Sequence, residues 1–251
     1  MSSTAGGNSN GRRLHVDLAP ARQAQKGSMN MIRYENARRS FFTILLCLTV
    51  GAGAMAQEAT KELESKLRAD PNDESTLMEL GRIYHDRGVA GDEDAVDEAF
   101  RCFDRALAID STNAVALAYR GSLWTLRARD SWWPPNKLSY MRKGAAEMDL
   151  AVGRAPLNMM VRLIRGINSV GLPGFLGRLP TALEDFIVLL KHPELPVQTK
   201  ELKVAIYYYA GLAHKKADDY EKARELFGKA LEILPGSDFA KRSGEELKEM
   251  E

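Results

Sequence analysis

The residues of this chain best able to do chemistry are its histidines, its cysteines, one acidic run and a tryptophan pair, and their spacing favours binding over bond-making. His85, His192 and His214 stand far apart, with no cysteine or carboxylate at the intervals metal ligands keep, and His15 lies in a polar leader. The run Asp92-Glu93-Asp94-Ala95-Val96-Asp97-Glu98 lacks the central glycine and closing glutamate of a calcium loop. It suits a helix N-terminus, where carboxylates meet the positive end of the dipole. The sequence holds no Ser, His and Asp set, no glycine-rich phosphate loop and no nucleophile elbow. The expectation is therefore no catalytic residue, no metal and no cofactor.

What remains is Arg127-Ala128-Arg129-Asp130-Ser131-Trp132-Trp133-Pro134-Pro135-Asn136-Lys137-Leu138-Ser139-Tyr140, followed by Arg142 and Lys143. Aromatic and arginine side chains dominate binding hot spots because they bury large areas at modest entropic cost. Pro134 and Pro135 are expected to hold the segment extended. A competing reading folds Trp132 and Trp133 back onto the protein, closing one apolar cluster with Phe175 and Leu176.

The elements that must position these residues follow from composition. The 251 residues, 45% apolar and 27% charged, are ordinary for a globular protein, and the 35 basic and 34 acidic residues give a net charge of +1. Global charge gives no pull toward nucleic acid, so no nucleic-acid partner is expected.

Residues 1–30 are polar and aperiodic and read as disordered. From Met31 a basic stretch leads into the apolar run Phe41 to Val50, and Ala54-Met55-Ala56 places small residues where a signal peptidase needs them. Residues 31–56 thus read as a signal peptide cleaved after Ala56, leaving Gln57 as the mature N-terminus and no stable membrane span. The apolar run is about half the ~20 residues that cross a bilayer. A start at Met29 or Met31 would make the first residues an over-extended reading frame. Arg38-Arg39-Ser40-Phe41-Phe42 resembles a twin-arginine signal, with Ala37 in place of the usual Ser or Thr, so either export route stays open. Cys47 follows Leu46 rather than a small residue, which argues against lipidation. Cys102 is then the only mature cysteine and is expected to be a buried thiol.

Residues 204–237 carry Tyr207, Gly211, Ala223, Phe227, Ala230 and Pro235 at the offsets of a 34-residue helical hairpin. The small residues allow close approach of two helices, Phe227 and Ala230 fill the seam, and Pro235 ends the second helix. In this the chain resembles the tetratricopeptide repeat (TPR) family, of the exported bacterial type. Four units share the register: 74–113, 114–158, 159–203 and 204–237. A capping helix is expected at 57–73 and another at 238–251. The resemblance implies an all-α, right-handed solenoid of antiparallel helix pairs.

Relative to the last unit, the spacing between the small residues of the two helices grows by 6, 11 and 4 residues in the first three, from Gly81, Gly121 and Gly166 to Ala99, Gly144 and Ala182. These additions are expected to form enlarged loops side by side along one edge. The loop edge would present Arg127, Arg129, Trp132, Trp133, Lys137, Tyr140, Phe175 and Arg178. The resemblance also implies a concave groove lined by the first helices, with Met78, Arg82, His85, Ser122, Ile167, Tyr208, Leu212 and Lys215 facing a partner, and Ala118 and Leu163 beside them. The matched Lys, Asn and Arg set that clamps a peptide carboxylate in such proteins is missing. The function this implies is a non-catalytic scaffold or adaptor for a peptide or protein in the cell envelope, periplasmic or secreted. A glycan-binding module of the cell wall, stacking sugars on Trp132, Trp133 and Tyr140, and a structural subunit of an envelope assembly are the alternatives.

Overall fold

The computed structural model describes residues 50–251, with side chains from Gln57 onward. The expected disordered extension and the export signal as far as residue 49 lie outside the described residues. Among those described there are ten α-helices and no strand. They are α1 (Val50–Ala69), α2 (Glu74–Val89), α3 (Glu93–Ile109), α4 (Ala114–Asp130), α5 (Pro134–Arg154), α6 (Met159–Gly171), α7 (Leu179–Leu190), α8 (Lys200–Lys216), α9 (Tyr220–Ile233) and α10 (Asp238–Glu249). The expected cleavage site, Ala54 to Ala56, falls within α1.

Local sequence sets the starts of these helices. Asp73, Asp92, Asn113, Asn158, Thr199, Asp219 and Ser237 each accept a hydrogen bond from the amide three residues on, satisfying a donor the helix cannot. The acidic run thus opens α3. Helices α5 and α7 have no such cap and carry proline at their first or second position instead, where its fixed φ suits the first turn and its missing N–H needs no partner.

The helices pair as α2/α3, α4/α5, α6/α7 and α8/α9, and each second helix packs on the first helix of the next unit. First helices also touch one another along the series α2, α4, α6, α8, α10, which makes them the inner layer. The stack is an all-α solenoid of helix pairs. At its ends α1 packs on α2 as a second helix without its partner, and α10 packs on α8 and α9 as a first helix without its partner. Phe103, Phe186 and Phe227 are fully buried at equivalent places in three units. A Cβ on Gly211 would meet the Phe227 ring at 2.6 Å, and one on Gly144 would meet the Gly121 carbonyl oxygen at 2.5 Å. The second contact is backbone against backbone, so the α4/α5 seam is the less forgiving of the two.

The extra residues of the first two units are helical rather than looped. The turns Ala90–Asp92, Ser131–Trp133 and Ala217–Asp219 all have three residues. Measured from the small seam residues, each helix of the first unit is three residues longer than in the last unit. In the second unit α4 gains four and α5 gains seven. Only the third unit puts its extra four residues into a loop, Leu172 to Arg178. The physical reason lies in the residues. Gly171, Pro173, Gly174 and Gly177 break a helix, and Gly177 adopts a left-handed φ of 64°. Pro134 and Pro135, expected to be extended, sit instead at the start of α5, where proline favours helix.

Candidate functional site

The inner layer carries a chain of polar side chains linking three first helices. His85 of α2 places Nε2 2.9 Å from the Ser122 hydroxyl of α4. Asn168 of α6 donates to that hydroxyl at 3.2 Å and to the Ile164 carbonyl at 2.9 Å, while Thr125 donates to its amide oxygen at 2.6 Å. The Tyr119 ring meets the His85 ring edge-on at 5.1 Å. Ser122, Asn168, Ala118 and Leu163 are buried and form the floor of the groove. Arg82 is exposed above it, and Met78, His85, Ile167 and Leu212 are half-buried. Thr125 stands at the same offset from its unit's glycine as His85 and Lys215, so the register alone could have found it. Asn168 stands two positions after its glycine, and only the packing of α6 on α4 shows its role.

Two residues expected to face a partner are covered. Tyr208 is buried, its ring 5.3 Å from Phe239 of α10. Burial holds its hydroxyl well above the ordinary tyrosine range. Lys215 is ion-paired with Glu246 and, at 2.9 Å, with Glu249 of the same helix. The cause is α10 itself, which stacks on α8 as the next first helix would and so fills that end of the groove. The open stretch therefore runs over α2, α4 and α6.

Along the turn edge most of the expected residues serve the fold. Arg127 reaches Asp97 at 2.6 Å and lies 4.0 Å over the Phe100 ring. Arg129 pairs with Asp130 and donates to the carbonyls of Gly88 at 3.0 Å and Val89 at 3.2 Å, capping the end of α2 from the neighbouring unit. Tyr140 stacks on Trp124 at 5.5 Å, with Lys143 3.6 Å over the same indole. Four positions were expected in a loop or beside one; Arg127, Arg129, Lys137 and Tyr140 are all helical. Trp132 and Trp133 do not fold back. They are 84% and 48% exposed, and Phe175 is 76% exposed, so the expected shared cluster with Leu176 does not form. Tyr140, rather than the tryptophan pair, covers the lengthened hairpin.

Residues 204–237 match the tetratricopeptide repeat family. The structure of TTC0263, a thermophilic TPR protein of Thermus thermophilus, is similar to this one with a TM-score of 0.63 at 17% identity, over 79% of this chain and 93% of that one. This chain has a TPR-type fold. MamA 41-end from Desulfovibrio magneticus RS-1 is similar at a TM-score of 0.48 and 16% identity, over 82% of this chain and 95% of that one. YrrB, a TPR protein with an unusual peptide-binding site, gives 0.45 and 18%, over 78% and 87%. At these identities the likeness is one of fold. No curated protein matches the chain at a significant level.

The TPR-type stack also holds a charged cluster that the sequence reading missed. Asp185 of α7 is fully buried and accepts from Arg165 at 2.7 and 2.8 Å and from Arg162 at 2.8 Å. Arg162 also reaches Glu184 at 2.7 Å, and Arg165 reaches Asp149 at 3.2 Å. Arg178 of the third-unit loop clamps Asp149 with two hydrogen bonds of 2.7 and 2.8 Å. Three guanidiniums face three carboxylates, so the charges are spent on one another and tie the loop to α5. Between α1, α2 and α3 lies an open cleft lined by Glu64, Arg68, Tyr84, Arg101, Cys102 and Arg105. Tyr84 donates to Glu64 across it at 2.6 Å. Burial pushes the Cys102 thiol up to about 11, which keeps it protonated and a poor nucleophile.

Proposed function

We propose that this chain is a non-catalytic, exported scaffold that holds an extended peptide or protein segment in the open groove over α2, α4 and α6. A solenoid of stacked repeats offers an extended concave surface of the kind used to hold partners. One observation carries the reading: the His85–Ser122–Asn168 hydrogen bonds tie three inner helices into a fixed polar floor. A pre-ordered surface spends little entropy on binding. Met78 and Ile167 offer apolar contact beside it and Arg82 a charge, which suits a partner of mixed character. The export half of the proposal rests on the basic stretch, the apolar run Phe41 to Val50 and Ala54-Met55-Ala56, and places the partner in the cell envelope.

The test is site-specific photocrosslinking in the native host. A photoreactive residue at Met78 or Ile167 should give one discrete adduct, and Arg82→Glu should weaken it severalfold. The same probe at Leu150, on the exposed side of α5, should give none. Adducts from Leu150 alone would overturn the groove assignment. Recovery of exported protein that begins at any residue other than Gln57 would overturn the assigned cleavage.

A further inference from the structure

The tryptophan pair has no part in the groove and none in the core. Every other large aromatic of the second unit is packed. Trp124 sits between Phe100 at 4.8 Å and Tyr140 at 5.5 Å, and Tyr119 stacks on Phe103. Trp132 and Trp133 lie at the tip of the α4/α5 hairpin, which four added residues in α4 and seven in α5 carry roughly 6–10 Å past a regular unit. Phe175 stands exposed on the corresponding turn of the next unit. The apolar surface is thus a projecting ridge rather than a pocket.

Within this hairpin the charge is one-sided. Residues 127–143 hold Arg127, Arg129, Lys137, Arg142 and Lys143 against the single acid Asp130. Arg127 and Arg129 are balanced by Asp97 and Asp130 and Lys143 lies over the Trp124 ring, which leaves the cationic excess with Lys137 in the first turn of α5 and the exposed Arg142 further along it. A flat carbohydrate face is a poor match. The two indoles are tilted 55° to each other, and Tyr140 is committed to Trp124.

We propose that this hairpin tip is a docking surface for an anionic bilayer. Trp132, Trp133 and Phe175 enter the boundary between headgroups and acyl chains, where amphipathic indoles are most favourable. Lys137 and Arg142 meet the anionic headgroups. Docking by this edge leaves the inner face of the first helices free for a partner.

The experiment uses the full chain with phosphatidylcholine vesicles that contain phosphatidylglycerol brominated in its acyl chains. All three tryptophans are accounted for: two at the tip, and Trp124 packed inside the unit as an internal reference. Emission from the wild-type chain should be quenched down to the level set by Trp124 alone. The Trp132→Ala/Trp133→Ala variant should keep its melting temperature within a few degrees, show no quenching of Trp124, and co-sediment less with the vesicles. Lys137→Glu/Arg142→Glu should lower tryptophan quenching at a given lipid concentration by roughly tenfold or more, with the loss disappearing in high salt. The tip tryptophans do not enter the bilayer if wild-type emission is unquenched, and the apolar arm of the proposal then fails. Equal quenching in the charge-reversed variant overturns the anionic arm. The leader contains no tryptophan, so membrane binding by residues 41–50 cannot by itself reproduce the quenching pattern.

Discussion

Individual side chains in this protein divide into those that hold the repeats together and those left facing outward, and residue type does not say which is which. Arg129 and Arg142 look alike in sequence, yet the first caps α2 and the second is exposed. Asp185 shows how much one buried charge can matter. Its carboxylate is wholly out of water and held by two guanidiniums, so Asp185→Ala would strip Arg162 and Arg165 of the one buried carboxylate they share and leave them only the exposed acids Glu184 and Asp149. A loss of about 3–5 kcal/mol in urea unfolding is expected, against well under about 1 kcal/mol for an exposed neutral change. An effect below about 1 kcal/mol would mean that water reaches the cluster. Sequence reasoning missed Asp185 because its partners lie 20 and 23 positions away, across a helix pair.

At the scale of elements, hydrophobic register and punctuation identified each helix pair, while the counting of inserted residues misjudged their conformation. A longer spacing between seam residues can be met by a loop or by extending both helices, and the spacing itself is blind to the difference. The choice was made by local chemistry: prolines at the first turn of α5, glycines through Gly171 to Gly177. The lengthened α4/α5 pair depends on a tight crossing. Gly144→Ala puts a methyl group 2.5 Å from the Gly121 carbonyl oxygen, and neither backbone can rotate away. It should cost about 1–3 kcal/mol, seen as a melting temperature several degrees lower. Gly153→Ala on the same helix, where an added methyl meets nothing within 4 Å, should leave stability unchanged or slightly raise it.

For the molecule as a whole, stability should fall on the alkaline side. Burial raises the hydroxyls of Tyr84, Tyr119, Tyr208 and Tyr209 above their ordinary value of 10.0, and lifts Cys102 from 9.0 to about 11. A group whose folded value is raised holds its proton better in the native state. Its contribution is intact below the unfolded value and is lost as pH rises through the folded one. Melting temperature should therefore stay level up to about pH 9 and fall steeply from about pH 10 upward; a flat profile to about pH 12 would contradict the burial of these rings. The helix-capping carboxylates Asp73, Asp92 and Asp219 are held low by the hydrogen bonds they accept, so their contribution is present above about pH 4 and lost in acid. The sequence by itself determined the all-α repeat architecture and the places of the small residues, because these follow from periodicity and from local caps and breakers. Only the tertiary structure decided which groove residues α10 covers, which arginines are spent inside the stack, and that Trp132, Trp133 and Phe175 face outward. Those outcomes depend on what lies across from each side chain, and that is set by how one unit docks on the next.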